Sequence, residues 1–117
     1  MSSALHEWGL VAQAVREVER RSHGTTVQSV TLRLGPGARS VTVRTAWDRV
    51  TSGGPLSGAA LVIVREEHRL QCLDCEHEYP GRLPSPCPEC GGDGLIRAAA
   101  ADLSVGTWTA AGPRAGT

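Results

Sequence analysis

The chain has 117 residues, with 12 Lys+Arg against 12 Asp+Glu, so its formal net charge is zero and nothing in its balance drives it toward nucleic acid or an anionic membrane. Aromatic residues make up 3% and Phe is absent, which leaves the core to Val, Leu, Ile, Ala and a few Trp. The length suits one compact core with a small satellite. No apolar stretch approaches the roughly 20 residues of a membrane-spanning helix, and the N-terminus shows no basic region followed by an apolar run.

Leu10, Val11, Ala14, Val15 and Val18 recur at helical spacing, with Arg16, Glu17, Glu19, Arg20 and Arg21 on much of the opposite face. They predict a helix over residues 6–22 that stops near Gly24, with the imidazole of His23 suited to its C-terminal dipole. Val30, Leu32 and Leu34 alternate with Ser29, Thr31 and Arg33 and predict a half-buried strand, ended by Gly35-Pro36-Gly37. Residues 40–52 carry two patterns: Val41 to Arg44 alternates like a strand, while Val43, Ala46, Trp47 and Val50 share a helical face. The helix is preferred, with Ser40 as its cap, Gly53-Gly54-Pro55 as its end and Trp47 in the core. The continuous apolar run Ala60 to Val64 predicts a central strand. A last strand is expected between Ala98 and Thr109, returning to the first domain, and residues 113–117 are expected to be disordered.

Between these elements lie Cys72, Cys75, Cys87 and Cys90, two C-x-x-C pairs separated by eleven residues. Four thiolates at this spacing can close a tetrahedron around one Zn²⁺. In the second pair, Cys87-Pro88-Glu89-Cys90-Gly91-Gly92, small residues allow backbone amides to turn toward sulfur. Zinc is preferred over two disulfides, because nothing marks the chain for an oxidising compartment, and over a redox dithiol or iron. A cytoplasmic location agrees with four reduced thiols. A closed four-thiolate site has no open position, so it builds a fold and performs no chemistry. The segment around it is small and polar, and metal binding is expected to supply its folding free energy.

Other function classes lack their chemistry. From Arg69 to Arg97 the acids Asp74, Glu76, Glu78, Glu89 and Asp93 outnumber the bases Arg69, Arg82 and Arg97, and Tyr79 is the sole aromatic, which argues against a nucleic-acid face. There is no G-x-S-x-G, no H-E-x-x-H, no fifth cysteine and no phosphate-binding G-x-x-x-x-G-K-[ST]. The chain is therefore not expected to be an enzyme. His68 and His77 flank the first cysteine pair and are read as solvated surface, with a supporting role at the zinc site as the alternative. The remaining constellation is Leu5-His6-Glu7-Trp8. An imidazole beside its own backbone amides can chelate Ni²⁺, which favours square-planar nitrogen ligands, and Trp8 is placed to pack that segment against the sheet.

The order of His6-Glu7, an amphipathic helix, Leu32-Arg33-Leu34-Gly35, Gly58-Ala59-Ala60-Leu61, Cys72-x-x-Cys75 and Cys87-Pro88-x-Cys90-Gly91 resembles the HypA/HybF family of nickel metallochaperones, over nearly the whole chain up to about Val105. The resemblance implies an α+β fold, two helices packed on a small mixed β-sheet, with an inserted four-Cys zinc-ribbon domain. The implied division is a discontinuous nickel-binding domain at 1–69 and 98–112 and a zinc-binding domain at 70–97. It further implies that His6, supported by Glu7, binds Ni²⁺ as transient cargo, and that Cys72, Cys75, Cys87 and Cys90 hold structural Zn²⁺. The partners it implies are a nickel-handling GTPase, in line with the missing phosphate loop, and the large subunit of a nickel-iron hydrogenase. Neither nucleic acid nor membrane is a partner, and the chain is expected to be a monomer or weak homodimer. The alternative is a zinc-ribbon adaptor that mediates protein contacts without delivering nickel.

Three departures from the family pattern stand out. The family begins Met-His-Glu, whereas here Met1-Ser2-Ser3-Ala4-Leu5 precedes His6, which puts the terminal amine beyond the usual chelate. Leu5 stands where the initiator Met is expected, so a true start at that position is the simpler expectation. The turn Gly35-Pro36-Gly37-Ala38-Arg39 carries no acidic residue, and Ala98 to Leu103 lacks a leading Gly-x-Glu.

Overall fold

A computed structural model describes residues 3–110; the tail at 113–117 lies outside them. The first helix, α1, spans Ser3–Arg21. It begins three residues before the expected start because Ala4 and Leu5 are strong helix formers and nothing before His6 breaks the pattern. Val11, Ala14, Val15 and Val18 are buried, as their spacing requires. His23 takes φ 54° and Gly24 φ 76°, and the Gly24 N–H bonds the Glu19 carbonyl at 3.1 Å, so the helix closes with a left-handed turn that satisfies its last carbonyls.

The strand β1 (Val27–Leu34) follows, with Val27, Val30, Leu32 and Leu34 buried. The ambiguous segment is helical: α2 covers Ser40–Thr51 and buries Val43, Ala46 and Trp47. Arg39, and not Ser40, is its N-cap residue; the Arg39 carbonyl accepts the first helical N–H, from Val43, at 3.0 Å. An Arg side chain has no acceptor to offer the helix start, and the carboxylate serving that end comes from α1, as described below.

The strands β2 (Ala60–Arg65) and β6 (Leu103–Ala110) flank β1 in a three-stranded sheet of order β2-β1-β6. The β1–β2 pair is parallel, joined through α2, and the β1–β6 pair is antiparallel, so the sheet is mixed. The central strand is β1. The apolar run Ala60–Val64, expected to be central, instead forms an edge: Leu61 and Ile63 pack on the core, while Val62 and Val64 are 48% and 44% exposed on the other face. An unbroken apolar run does not reveal whether both faces are covered, and here only one is. Trp8, Leu103, Val105 and Trp108 complete the core from its margin.

Residues between β2 and β6 build a second sheet of order β4-β3-β5, all antiparallel, from β3 (His68–Cys72), β4 (Glu78–Gly81) and β5 (Gly94–Ala98). Its buried core is Leu70, Cys72, Tyr79 and Cys87 alone. The chain leaves and re-enters the first sheet beside one residue, since Leu34 is in register with Arg65 of β2 and with Leu103 of β6.

Candidate metal centres

The two cysteine pairs sit on matching turns. Glu76 N–H bonds the Cys72 carbonyl at 3.1 Å, and Gly91 N–H bonds the Cys87 carbonyl at 2.8 Å. The residue after each pair has positive φ, 66° at Glu76 and 78° at Gly91. Such turns aim amides at sulfur: Asp74 N–H and Cys75 N–H lie 3.4 and 3.5 Å from Cys72 Sγ, and Glu89 N–H lies 3.4 Å from Cys87 Sγ. Gly92 has no room for a Cβ, because Asp74 and Cys72 Sγ occupy that space.

All four cysteines are free, and their sulfurs lie within 4.8 Å of one another. Cys72 and Cys90 are 3.5 Å apart, and Cys75 and Cys87 are 3.7 Å apart. A tetrahedron with Zn–S bonds of about 2.3 Å has edges of about 3.8 Å. The donor set therefore fits a thiophilic, tetrahedral cation, and separations of this size are far longer than a sulfur–sulfur bond.

Acid–base properties of the thiols lead the same way. The Cys75 N–H, opposed by burial and aided by the Asp74 N–H and neighbouring thiols, draws Cys72 down from 9.0 to about 7. At Cys90 the Gly92 N–H favours the thiolate, but the adjacent Cys72 and Cys75, with burial, outweigh it and push the thiol up to about 12. Cys75 is likewise raised: the His77 N–H lowers it, while burial and the Cys87 and Cys72 thiols prevail. One thiolate forms readily, and the next must form beside it. A divalent cation removes that repulsion, so the cluster is a ligand set that metal completes.

Neither His68 nor His77 directs its ring to the cysteines. His68 Nδ1 accepts the Ala100 N–H at 2.9 Å and fastens β3 to the segment leaving β5. His77 stacks on Tyr79, with ring centroids 6.3 Å apart, and Tyr79 Oη donates to the Ser85 carbonyl at 2.8 Å.

His6 and Glu7 are neighbours on α1 that point to different environments. His6 is exposed, and its Nε2 lies 3.1 Å from Asp102 Oδ2. Glu7 is 1% exposed; its Oε2 accepts the Arg39 N–H at 2.5 Å, and Arg39 Nε stands 4.0 Å from Oε1. The imidazole is open to an incoming ion, while the carboxylate is committed to the start of α2. Trp8 is half-buried against the core, as its position beside them required.

Sequence reasoning missed Asp102. The turn at residues 35–39 is devoid of acids, yet the residue just before β6 brings a carboxylate to its side, and no local signal links Asp102 to His6 across 96 residues. The turn is pinned from its other side by Arg65, whose guanidinium donates to the Ala38 carbonyl at 2.8 Å and reaches the Gly35 carbonyl at 3.4 Å. No described helix is long and apolar enough to cross a membrane.

Comparison with known proteins gives one consistent result. The family model described as "Hydrogenase/urease nickel incorporation, metallochaperone, hypA" matches residues 5–109. The hydrogenase maturation factor HypA of Geobacter metallireducens is 32% identical over 104 residues, covering 86% of this chain and 94% of that protein. That of Paracoccus denitrificans is 34% identical over 99 residues, covering 79% and 87%. Among solved structures, the nickel metallochaperone HypA of Helicobacter pylori superposes with a TM-score of 0.58 at 18% identity, over 89% of this chain and 96% of that one, which supports the fold. The chain belongs to the HypA family, whose members are metallochaperones and not enzymes.

Proposed function

We propose, from membership in this nickel-incorporation family, that the chain binds Ni²⁺ transiently at His6 in the cytoplasm and delivers it for hydrogenase maturation. A single observation carries the reading. His6 lies exposed in the opening turns of α1, in the part of the chain that the family match includes from residue 5, and it is the one solvent-open imidazole of the two-helix domain with a carboxylate beside it among the described residues.

Nickel, as cargo, would meet an imidazole nitrogen and adjacent backbone amides, a nitrogen donor set that suits Ni²⁺. Helical N–H groups all point along the axis toward its N-terminus, so successive amides converge on one ion only when that turn opens. Glu7 supports the site from the buried side, because its hydrogen bond to Arg39 anchors the next turn while the first one rearranges. Cys72, Cys75, Cys87 and Cys90 would hold a resident Zn²⁺, which fixes the second sheet and supplies no reactivity. The recipients and partners we propose are a hydrogenase large subunit and a GTPase that handles nickel, since this chain has no phosphate loop of its own.

Titration of purified, zinc-loaded protein with Ni²⁺ tests the reading. Full-length chain and a form lacking residues 2–5, which begins Met-His6-Glu7, are compared with their His6→Ala variants. The expected result is one nickel per chain, tighter in the shorter form, and lost in both His6→Ala proteins with zinc content and helicity unchanged. Nickel binding that survives His6→Ala sinks the assignment. Zinc alone in every form favours an adaptor that only mediates protein contacts.

A further inference from the structure

We infer that Asp102 is a positioning residue for nickel: it holds the His6 proton on Nε2 and leaves the Nδ1 lone pair to meet the ion. The inference rests on the reading of His6 as a nickel donor and adds to it the nitrogen used and the group that selects it.

A carboxylate can only accept, so across the 3.1 Å between Asp102 Oδ2 and His6 Nε2 the imidazole must donate. In a neutral imidazole one nitrogen then carries the proton and the other the free lone pair. With Nε2 protonated, that lone pair lies on Nδ1. Nδ1 is also the nitrogen that can share a metal with the residue's own backbone nitrogen, through a six-membered ring of metal, Nδ1, Cγ, Cβ, Cα and N. Nε2 lies on the far side of the ring and cannot close it. The contact thus presets the tautomer that chelation through the backbone requires, as carboxylate–histidine pairs do behind metal ligands generally.

The position of Asp102 is itself built by the fold. Its backbone carbonyl accepts the Gly35 N–H at 3.0 Å, at the mouth of the β1–β6 pairing. Its other carboxylate oxygen, Oδ1, lies 3.1 Å from where a Cβ on Gly37 would stand. A Cβ on Gly35 would run into the Ala101 carbonyl. The two glycines of Gly35-Pro36-Gly37 therefore leave a space that the Ala101–Asp102 segment fills, and His68 Nδ1 holds Ala100 from the side of the second sheet. An acid missing from the turn is supplied across it by Asp102, the residue just before β6.

Long-range ¹H–¹⁵N correlation spectra of the imidazoles in nickel-free, zinc-loaded full-length protein read the tautomer directly. The expected His6 signature is the Nε2–H form in the wild type and a mixture in Asp102→Asn, whose amide can either donate or accept. Nickel affinity should fall about 10- to 100-fold in that variant. Gly37→Ala, which crowds Oδ1 and leaves Asp102 in place, should shift both readouts the same way and serves if Asp102 variants fold poorly. An Nδ1–H signature in the wild type overturns the inference, as does an unchanged tautomer and affinity in both variants. His6→Ala separates the two levels. If it abolishes nickel binding while Asp102→Asn changes nothing, only the role of Asp102 is lost; if nickel binding survives it, the parent reading falls as well.

Discussion

Glu7 of α1 accepts the backbone N–H of Arg39, 32 residues away, at the N-cap of α2. In a capping box the acid that reaches back to the N-cap amide lies three residues along the same helix. Here a different helix supplies it, so one part-buried hydrogen bond both satisfies an orphan amide and fixes how α1 meets α2. The carboxylate charge also lies at the positive end of the α2 dipole. Its second oxygen, Oε1, is buried without a hydrogen-bond partner among the described residues.

Removal of this side chain should therefore be felt as stability. Glu7→Ala leaves the Arg39 amide unpartnered and is expected to cost about 1–3 kcal/mol in urea denaturation. Glu7→Gln keeps an acceptor and should cost less than half as much. An equal loss in both variants would show that charge, and not the hydrogen bond, dominates at this position.

The four-cysteine module should depend on its metal and the two-helix domain should not. With only Leu70, Cys72, Tyr79 and Cys87 buried, the second sheet has too little apolar core to hold itself. Metal in small zinc modules supplies on the order of 10 kcal/mol or more. Cys87→Ala, or treatment with a strong chelator, is expected to abolish amide protection across residues 68–98 while α1 and α2 keep theirs in hydrogen exchange. Protection retained in β3 without metal would contradict this.

Zinc loading should also release protons. At pH 7.5 the metal-free cluster keeps protons on Cys75 and Cys90, both raised above 9.0, whereas Cys72, lowered to about 7, is largely ionised. Binding requires all the thiolates. The sign follows: as pH falls, more protons compete with the metal, so apparent zinc affinity decreases, and steepest below the Cys72 value of about 7, where its proton joins the others. Calorimetric titration in buffers of different ionisation enthalpy measures the released protons; fewer than two at pH 7.5 would refute the scheme.

What the sequence disclosed and what it concealed divide along the range of the interactions. The cysteine spacing is legible because each half of the ligand set is a local turn, and the sulfurs do converge. Helical periodicity placed Val11, Ala14, Val15 and Val18 in the core and resolved residues 40–51 correctly, because packing against one face imposes a local repeat. Ser40 is the natural cap by residue type, yet the N-cap falls one residue earlier at Arg39, whose backbone N–H is met by the Glu7 carboxylate from α1, which no local pattern encodes. The run Ala60–Val64 reads as the centre of a sheet because apolar character reports a preference for burial, whereas neighbours decide whether burial occurs. His6 and Glu7 drew notice as adjacent residues, but only the fold shows that one faces solvent and Asp102 while the other faces the core.

Leu34 lies between Arg65 and Leu103, so the two ends of the four-cysteine module stand on either side of a single residue of β1. When the module is ordered, it joins those ends as a rigid bridge. When it is not, residues 66–102 become a flexible loop whose closure costs on the order of 3 kcal/mol in chain entropy. A metal bound in the module would therefore act on the first sheet without placing a ligand in it: by stiffening the connection, it lowers the entropic penalty of keeping β6 docked, and with β6 the carboxylate of Asp102 just before it, which faces His6.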